Sequence, residues 1–125
     1  MRKLSLLFLG AVLSLSCAAP QNSNGSSYKK MDSKEFVESY KENKNNSILI
    51  DVRTPGEYNG GTIEDAININ YFDNNFEEQL SKLDTTKTAY IFCKSGGRSG
   101  QSSKTFLKVG FKNVIDLKGG YSSYK

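Results

Sequence analysis

Short apolar runs alternate along this chain with segments whose apolar residues have helical spacing. Residues 47–52 (SILIDV) and 88–92 (TAYIF) are rich in β-branched and aromatic side chains, which is typical of strands buried on both faces of a parallel sheet. Residues 28–31, 66–69 and 114–117 predict three shorter strands.

The first helical segment follows the first strand. Phe36, Val37 and Tyr40 fall on one helical face, and Asp32 stands three residues before Glu35, the spacing of a capping box. The sequence therefore predicts a helix that begins directly after Asp32.

Two further helices are predicted later in the chain. We expect Asp73 or Asn74 to cap the first, and Gly110 to end the second. Their apolar positions are Phe76, Leu80 and Leu83 in one and Phe106, Leu107 and Val109 in the other.

Glycine and proline predict the connections. Pro55 and Gly56 predict a loop after the strand at 47–52, and Gly119 and Gly120 predict a turn toward a C-terminal helical turn. Strands that alternate with helices indicate an α/β fold, with a five-stranded, mostly parallel sheet and helices on both faces. In such sheets ligands bind at the carboxyl ends of the strands, so the loops after Asp51 and Phe92 should converge on one crevice.

Composition narrows the chemistry. The chain has 125 residues, enough for one hydrophobic core, and a formal charge of +4 without a basic run, which disfavours nucleic acid as a partner. It contains no histidine and two cysteines, so we expect neither a zinc site nor another cofactor, and no histidine-assisted catalysis. We expect a monomer.

The N-terminus predicts export. Arg2 and Lys3 precede an apolar stretch at residues 4–15, which is shorter than the roughly 20 residues that a membrane-spanning helix needs. Cys17 follows this stretch and resembles the lipidated first residue of a mature bacterial lipoprotein, although Ser14 stands where that pattern prefers leucine. Ordinary cleavage after Ala18 is the alternative.

The predicted organisation has three parts. Residues 1–16 form the signal peptide, residues 17–27 a polar tether or simply a disordered N-terminus, and residues 28–125 the folded domain. Either mode of processing places the domain in the cell envelope, as a membrane-anchored lipoprotein on the periplasmic side or as a soluble periplasmic protein.

The candidate chemistry lies in the loop after the strand at 88–92. Cys93 stands before a Gly-Gly pair and two cations, which indicates a reactive thiolate, whereas a small buried hydrophobe is the plain alternative for a cysteine at a strand end. The loop consists of Cys93, Lys94, Ser95, Gly96, Gly97, Arg98 and Ser99.

Ionising this thiol requires several contributions. Lowering a thiol pKa by two units takes about 2.7 kcal/mol. A helix N-terminus supplies only about 0.3 to 1 kcal/mol in most proteins. We therefore expect loop N–H groups, Lys94 and Arg98 to supply the rest, with Gly96 and Gly97 both at positive φ in an anion-binding nest. Ser95 and Ser99 are expected either to donate hydrogen bonds or to cap the following helix.

Three segments in order resemble the single-domain rhodaneses. They are DVRTPGEY at residues 51–58, continued by GTIEDAINI at 61–69; CKSGGRS at 93–99; and LKGGYSSY at 117–124. Thr62, Asp65 and Tyr124 replace the family's usual His, Gly and Trp, and are interpreted as scaffold changes.

The resemblance implies a rhodanese-like fold and a sulfurtransferase. The Cys93 thiolate would take the outer sulfur of a small anionic donor such as thiosulfate, or of a persulfide, and pass it from a Cys93 persulfide to a thiol or cyanide. Arg98 would steady the loop or the sulfur donor. Lys94 and Arg53 would attract the donor, with Asp51 and Glu57 in support, unless Arg53 only pairs with one of these carboxylates.

Three other functions are weighed against this one. Phosphatases with a cysteine-arginine loop have five residues between the two, whereas four separate Cys93 from Arg98. A non-catalytic binding or sulfur-carrier module is the second. A redox role is the third, although without Cys17 the domain has no second cysteine to resolve a disulfide.

Overall fold

The computed structural model describes residues 25–124. The predicted export signal, Cys17 and most of the tether lie outside these residues. Within residues 25–124, no helix combines the length and the apolar character that crossing a membrane requires.

A parallel sheet forms the centre of the domain. Its strands stand in the order β1-β5-β4-β2-β3, and every neighbouring pair within the described residues is parallel. The predicted fold class is confirmed, with all strands parallel. The strands are β1 (Ser27–Met31), β2 (Ser47–Asp51), β3 (Ile67–Asn68), β4 (Thr88–Phe92) and β5 (Asn113–Leu117).

Helices and 3-10 turns connect the strands. They are α1 (Ser33–Glu42), α2 (Pro55–Asn59), α3 (Phe76–Ser81) and α4 (Gly97–Lys108), with 3-10 turns at Lys44–Asn46 and Tyr121–Ser123. The predicted cap of α1 is confirmed, because Asp32 accepts a hydrogen bond from the Glu35 amide at 3.0 Å. Gly110 follows α4 at φ 121°, as the predicted helix end requires.

Two local predictions are wrong. Pro55 and Gly56 do not form a loop but begin α2, because Thr54 caps the helix and proline suits its first position. Helix α3 is not capped by Asp73 or Asn74. Its N-cap position is Asn75, without a side-chain cap bond, while the Asp73 carboxylate accepts hydrogen bonds from other side chains.

Alternation along the central strands divides the apolar side chains into two layers. In β4, Ala89 and Ile91 pack with α3 and α4, whereas Tyr90 and Phe92 pack with α1. Cys93 belongs to the α3 and α4 side and is 1% exposed. The sheet is thus covered on both faces, and its middle strand ends at the candidate loop.

The C-terminal segment closes over this loop. The backbone N–H groups of Tyr121 and Ser122 donate to the carbonyl oxygens of Cys93 and Lys94, at 2.7 and 2.9 Å. Gly120 lies against the backbone of this loop, where a Cβ atom would stand 2.5 Å from the Lys94 carbonyl. The φ angle of Gly120 is 64°. Glycine at position 120 is therefore required by both space and backbone conformation.

We expect Gly120→Ala to lower the free energy of unfolding by about 3 kcal/mol, because the side chain would meet backbone and the φ value is unfavourable. Gly56→Ala in α2 is the matched control, since a Cβ atom at that position would have no other atom within 4 Å. Its stability should stay equal or rise by up to about 1 kcal/mol. Urea unfolding of both variants measures the difference, and equal stabilities would contradict the assigned role of Gly120.

Candidate active site

The Cys93 sulfur lies in a ring of backbone donors between β4 and α4. Gly96 has φ 109° and directs its N–H to Sγ at 3.0 Å. Gly97 begins α4, and its φ is not in the positive range, so the expectation that both glycines adopt positive φ is wrong for Gly97. One left-handed residue turns the chain, and the helix starts immediately after it.

Local hydrogen bonds favour the ionised sulfur. Burial opposes ionisation of Cys93, but hydrogen bonds from the side chain and amide of Ser99 and the amides of Gly96 and Ser95 outweigh it. The pKa of Cys93 therefore lies below its usual value. The loop amides thus stabilise the thiolate as expected. Cys93 does not take part in a disulfide within the described residues.

Arg98 is directed toward a carboxylate. Its guanidinium donates to both oxygens of Glu57, at 2.7 and 3.1 Å, and lies 5.7 Å from the centre of the Phe72 ring. Hydrogen bonds from Arg98 lower the pKa of Glu57 to about 2, and Thr54 adds further bonds. Arg98 therefore ties the loop of Cys93 to α2, and its direct hydrogen bonds are made to Glu57.

Arg53 is buried beside Asp51. The two side chains are 4% and 0% exposed, and the Arg53 guanidinium donates to Asp51 Oδ2 at 2.7 Å and to the Gly61 carbonyl at 2.6 Å. The guanidinium also lies 4.2 Å from the centre of the Tyr121 ring. This arrangement corresponds to the alternative in which Arg53 only pairs with a carboxylate, because a buried and fully engaged guanidinium is not presented to a sulfur donor.

The remaining loop side chains differ in exposure. Lys94 and Ser95 are exposed, whereas Ser99 is 0% exposed. Neither serine caps α4, because its N-cap position is Gly96 and no side chain bonds there as a cap. The Ser99 hydroxyl instead lies 3.4 Å from the Cys93 sulfur and 2.7 Å from an oxygen of Asp116.

The three departures from the rhodanese motifs all make scaffold contacts. Thr62 donates to Asp51 at 2.9 Å, and Asp65 accepts from the Tyr40 hydroxyl at 2.8 Å. Tyr124 stacks on Tyr121 with ring centroids 6.0 Å apart. Each replacement therefore packs or hydrogen bonds within the fold.

Sequence reasoning missed two residues behind the sulfur. Asp116 in β5 is 0% exposed, and the Tyr28 hydroxyl of β1 donates to it at 2.5 Å. The available signal was a carboxylate within the apolar run VIDL, since a charge in a buried strand requires partners. The pairing of β5 with both β1 and β4 brings Tyr28, Asp116 and Cys93 together.

The chain matches one family of proteins both in sequence and in structure. The family model described as rhodanese-like domain matches residues 33–125. A crystal structure of a rhodanese-related protein from Thermoplasma volcanium superposes with a TM-score of 0.64 at 26% identity, covering 78% of this chain and 90% of that one.

Two curated relatives carry functional names. Thiosulfate sulfurtransferase 16, chloroplastic, from Arabidopsis thaliana is 35% identical over 60% of this chain and 71% of its own length. The tRNA uridine(34) hydroxylase of Pelagibacter ubique is 39% identical over 66% of this chain. The chain spans only 28% of that hydroxylase, so the similarity concerns one part of the larger protein.

We expect Gly96→Ala to reduce the alkylation rate of Cys93 by iodoacetamide several-fold at neutral pH. Alanine disfavours φ 109°, so the amide that donates to Sγ would turn away and the thiol pKa would rise. Gly97→Ala is the control, because a Cβ atom at position 97 would have no other atom within 4 Å. Peptide-resolved mass spectrometry follows Cys93 alone. Equal rates in the two variants would count against the amide ring as the cause of thiolate formation.

Proposed function

Because this chain belongs to the rhodanese-like domain family, we propose that it is a sulfurtransferase that carries a sulfane sulfur on Cys93. The observation that carries the proposal is the Cys93 sulfur held 3.0 Å from the Gly96 amide at the start of α4, with a lowered pKa. A relative named as a thiosulfate sulfurtransferase supports the reaction class.

The first half-reaction loads the cysteine. The Cys93 thiolate attacks the outer sulfur of thiosulfate, a new S–S bond forms, and the old S–S bond breaks with its electron pair leaving on sulfite. The persulfide that remains is anionic at its outer sulfur. The amides of Ser95, Gly96 and Ser99 and the positive end of the α4 dipole favour that charge.

The second half-reaction unloads it. A thiol or cyanide attacks the outer sulfur, and the Cys93 thiolate leaves and is regenerated. Cys93 is only 1% exposed, which favours a slender sulfur donor and acceptor over a bulky one. Lys94 is exposed beside the loop and is the cation offered to an anionic donor, while Arg98 positions the loop through Glu57.

Incubation of the protein with thiosulfate should add one sulfur to the intact mass, and later addition of cyanide should release thiocyanate. Cys93→Ala should lose both signals, because no other residue among 25–124 supplies a thiol. Cys17→Ser keeps Cys93 and is the matched control, so it should transfer sulfur like the parent protein. Thiocyanate formation by Cys93→Ala above the uncatalysed rate would disprove the mechanism.

The same experiment tests the non-catalytic alternative. If neither thiosulfate nor a small-molecule persulfide adds sulfur to Cys93, a binding module in the cell envelope replaces the enzyme as the better interpretation. A stable adduct that neither cyanide nor a thiol removes would favour a sulfur carrier.

We further propose that the chain is exported and acts in the cell envelope, lipidated on Cys17. The support is the sequence pattern at residues 1–17. In a bacterial host, Cys17→Ser should release the protein from the membrane fraction, because the residue that accepts the lipid is removed. Ser16→Ala leaves Cys17 in place and should remain with the membranes. Unchanged membrane association of Cys17→Ser would rule out the lipid anchor.

A further inference from the structure

A buried carboxylate stands directly behind the reactive cysteine. Asp116 is 0% exposed within the apolar strand β5. Among residues 25–124 it forms no salt bridge, and its partners are the hydroxyl groups of Tyr28 and Ser99 and the backbone amide of Leu117. Burying an ionised carboxylate without a cation is costly. The position of Asp116 therefore calls for a function or a compensating proton.

Two side chains link this carboxylate to the sulfur and to β1. The Tyr28 hydroxyl donates to Oδ2 of Asp116 at 2.5 Å, and the Ser99 hydroxyl lies 2.7 Å from Oδ1. The same Ser99 oxygen lies 3.4 Å from Sγ of Cys93, within the usual range for a hydrogen bond to sulfur. A continuous chain of hydrogen-bonding atoms therefore runs from Cys93 to Asp116.

The Ser99 hydroxyl has a single hydrogen, and besides these two contacts it lies 3.4 Å from the Gly96 carbonyl oxygen. Its contacts with Asp116 and Cys93 define two states. When Asp116 is ionised, Ser99 donates to Oδ1 and its oxygen accepts from the Cys93 thiol. When Asp116 is protonated, Asp116 donates to Ser99 and Ser99 donates to the Cys93 thiolate. The two states hold the same number of protons and hydrogen bonds, and they differ in where the negative charge lies.

The surroundings favour charge on the sulfur. Burial opposes ionisation of both groups. At Cys93, hydrogen bonds from Ser99 and the loop amides outweigh burial and lower the pKa, whereas at Asp116 burial outweighs the hydrogen bonds from Tyr28 and Ser99 and raises the pKa. The Tyr28 bond is kept when Oδ1 is protonated, because Oδ2 then becomes the carbonyl oxygen and still accepts from the hydroxyl.

The charged and titratable groups around the pair are few. Lys30 of β1 is exposed and favours the ionised form of Asp116, although less than the hydroxyl bonds do. Arg98 of α4 interacts electrostatically with Cys93 but hydrogen bonds to Glu57. On β4, the residue paired with Asp116 is the apolar Ile91.

We propose that Asp116 is the proton acceptor of Cys93, reached through the hydroxyl of Ser99. The S–H bond breaks and its electron pair stays on sulfur, Ser99 takes this proton, and the original Ser99 proton moves to Oδ1 of Asp116. The net charge of the group is unchanged and no solvent base is required. The proposal rests on the proposed function, because only a nucleophilic Cys93 needs to lose its proton.

The order of two titrations tests this assignment. In the Cys17→Ser protein, ultraviolet absorbance reports the Cys93 thiolate, and the infrared C=O stretch of a buried carboxylic acid reports protonated Asp116. In the pH range where Cys93 and Asp116 hold one proton between them, we expect the thiolate absorbance and the carboxylic acid band to be present together, because that proton then lies on Asp116. Loss of the carboxylic acid band before the thiolate forms would overturn the proposal, since Asp116 would then be ionised whenever Cys93 is reactive.

Variants assign the signals and test the path. Asp116→Asn should remove the infrared band, and Cys93→Ser should remove the thiolate absorbance. Ser99→Ala should raise the pH at which the thiolate forms, because the thiolate loses the hydroxyl that donates to it. An unchanged thiolate titration in Ser99→Ala would show that Ser99 is not the bridge.

Tyr28→Phe provides a conservative second test that leaves the buried pair in place. Loss of the hydroxyl that favours ionised Asp116 should carry the carboxylic acid band to higher pH, by roughly one unit, or tenfold in proton affinity. No change in the band would place the observed proton on another group and contradict the assignment.

These readouts use no sulfur donor, so the two proposals fail separately. The predicted titration order without a sulfur adduct would disprove the sulfurtransferase and retain the proton acceptor. A sulfur adduct on Cys93, together with loss of the carboxylic acid band before the thiolate forms, would retain the sulfurtransferase and disprove the proton acceptor.

Discussion

At the carboxyl end of β4, hydrogen bonds hold Cys93 at both its side chain and its backbone. Its sulfur accepts from the amide of Gly96, and its carbonyl accepts from the amide of Tyr121 at 2.7 Å. The first bond needs a residue at positive φ, and the second needs Gly120 to pass within contact of the loop backbone. Two distant glycines thus hold one residue in place.

Different groups hold the crevice in shape and stabilise the sulfur. Arg53 and Asp51 form a buried pair that Thr62 and the Tyr121 ring complete, so this side of the crevice is fixed by satisfied polar contacts. Arg98 and Glu57 form a second, partly exposed pair that joins the loop to α2. The arginines therefore act on the loop mainly through carboxylates, and local amides stabilise the sulfur.

A chain without histidine needs other groups to stabilise the thiolate of its reactive cysteine and to accept its proton. The short loop supplies amides that favour the thiolate, and the strand behind it supplies a buried carboxylate joined through one serine hydroxyl. Both features follow from the parallel sheet, since β5 lies beside β4 and α4 begins just after the carboxyl end of β4. In the proposed proton transfer, the negative charge moves from the buried carboxylate of Asp116 to the sulfur of Cys93, where loop amides stabilise it.

Periodicity and loop spacing are local properties, and they were enough to predict five strands, the helices α1, α3 and α4, the convergence of two loops and Cys93 as the candidate nucleophile. They did not predict α2, where a loop was expected. The sequence by itself could not determine which cation meets which carboxylate, and the conformation expected for Gly97 was wrong because the helix begins there. Only tertiary structure paired Arg98 with Glu57 and placed Asp116 behind Ser99. Those contacts join residues far apart in the chain. They form because β4 lies between β2, which leads to α2, and β5, which carries Asp116.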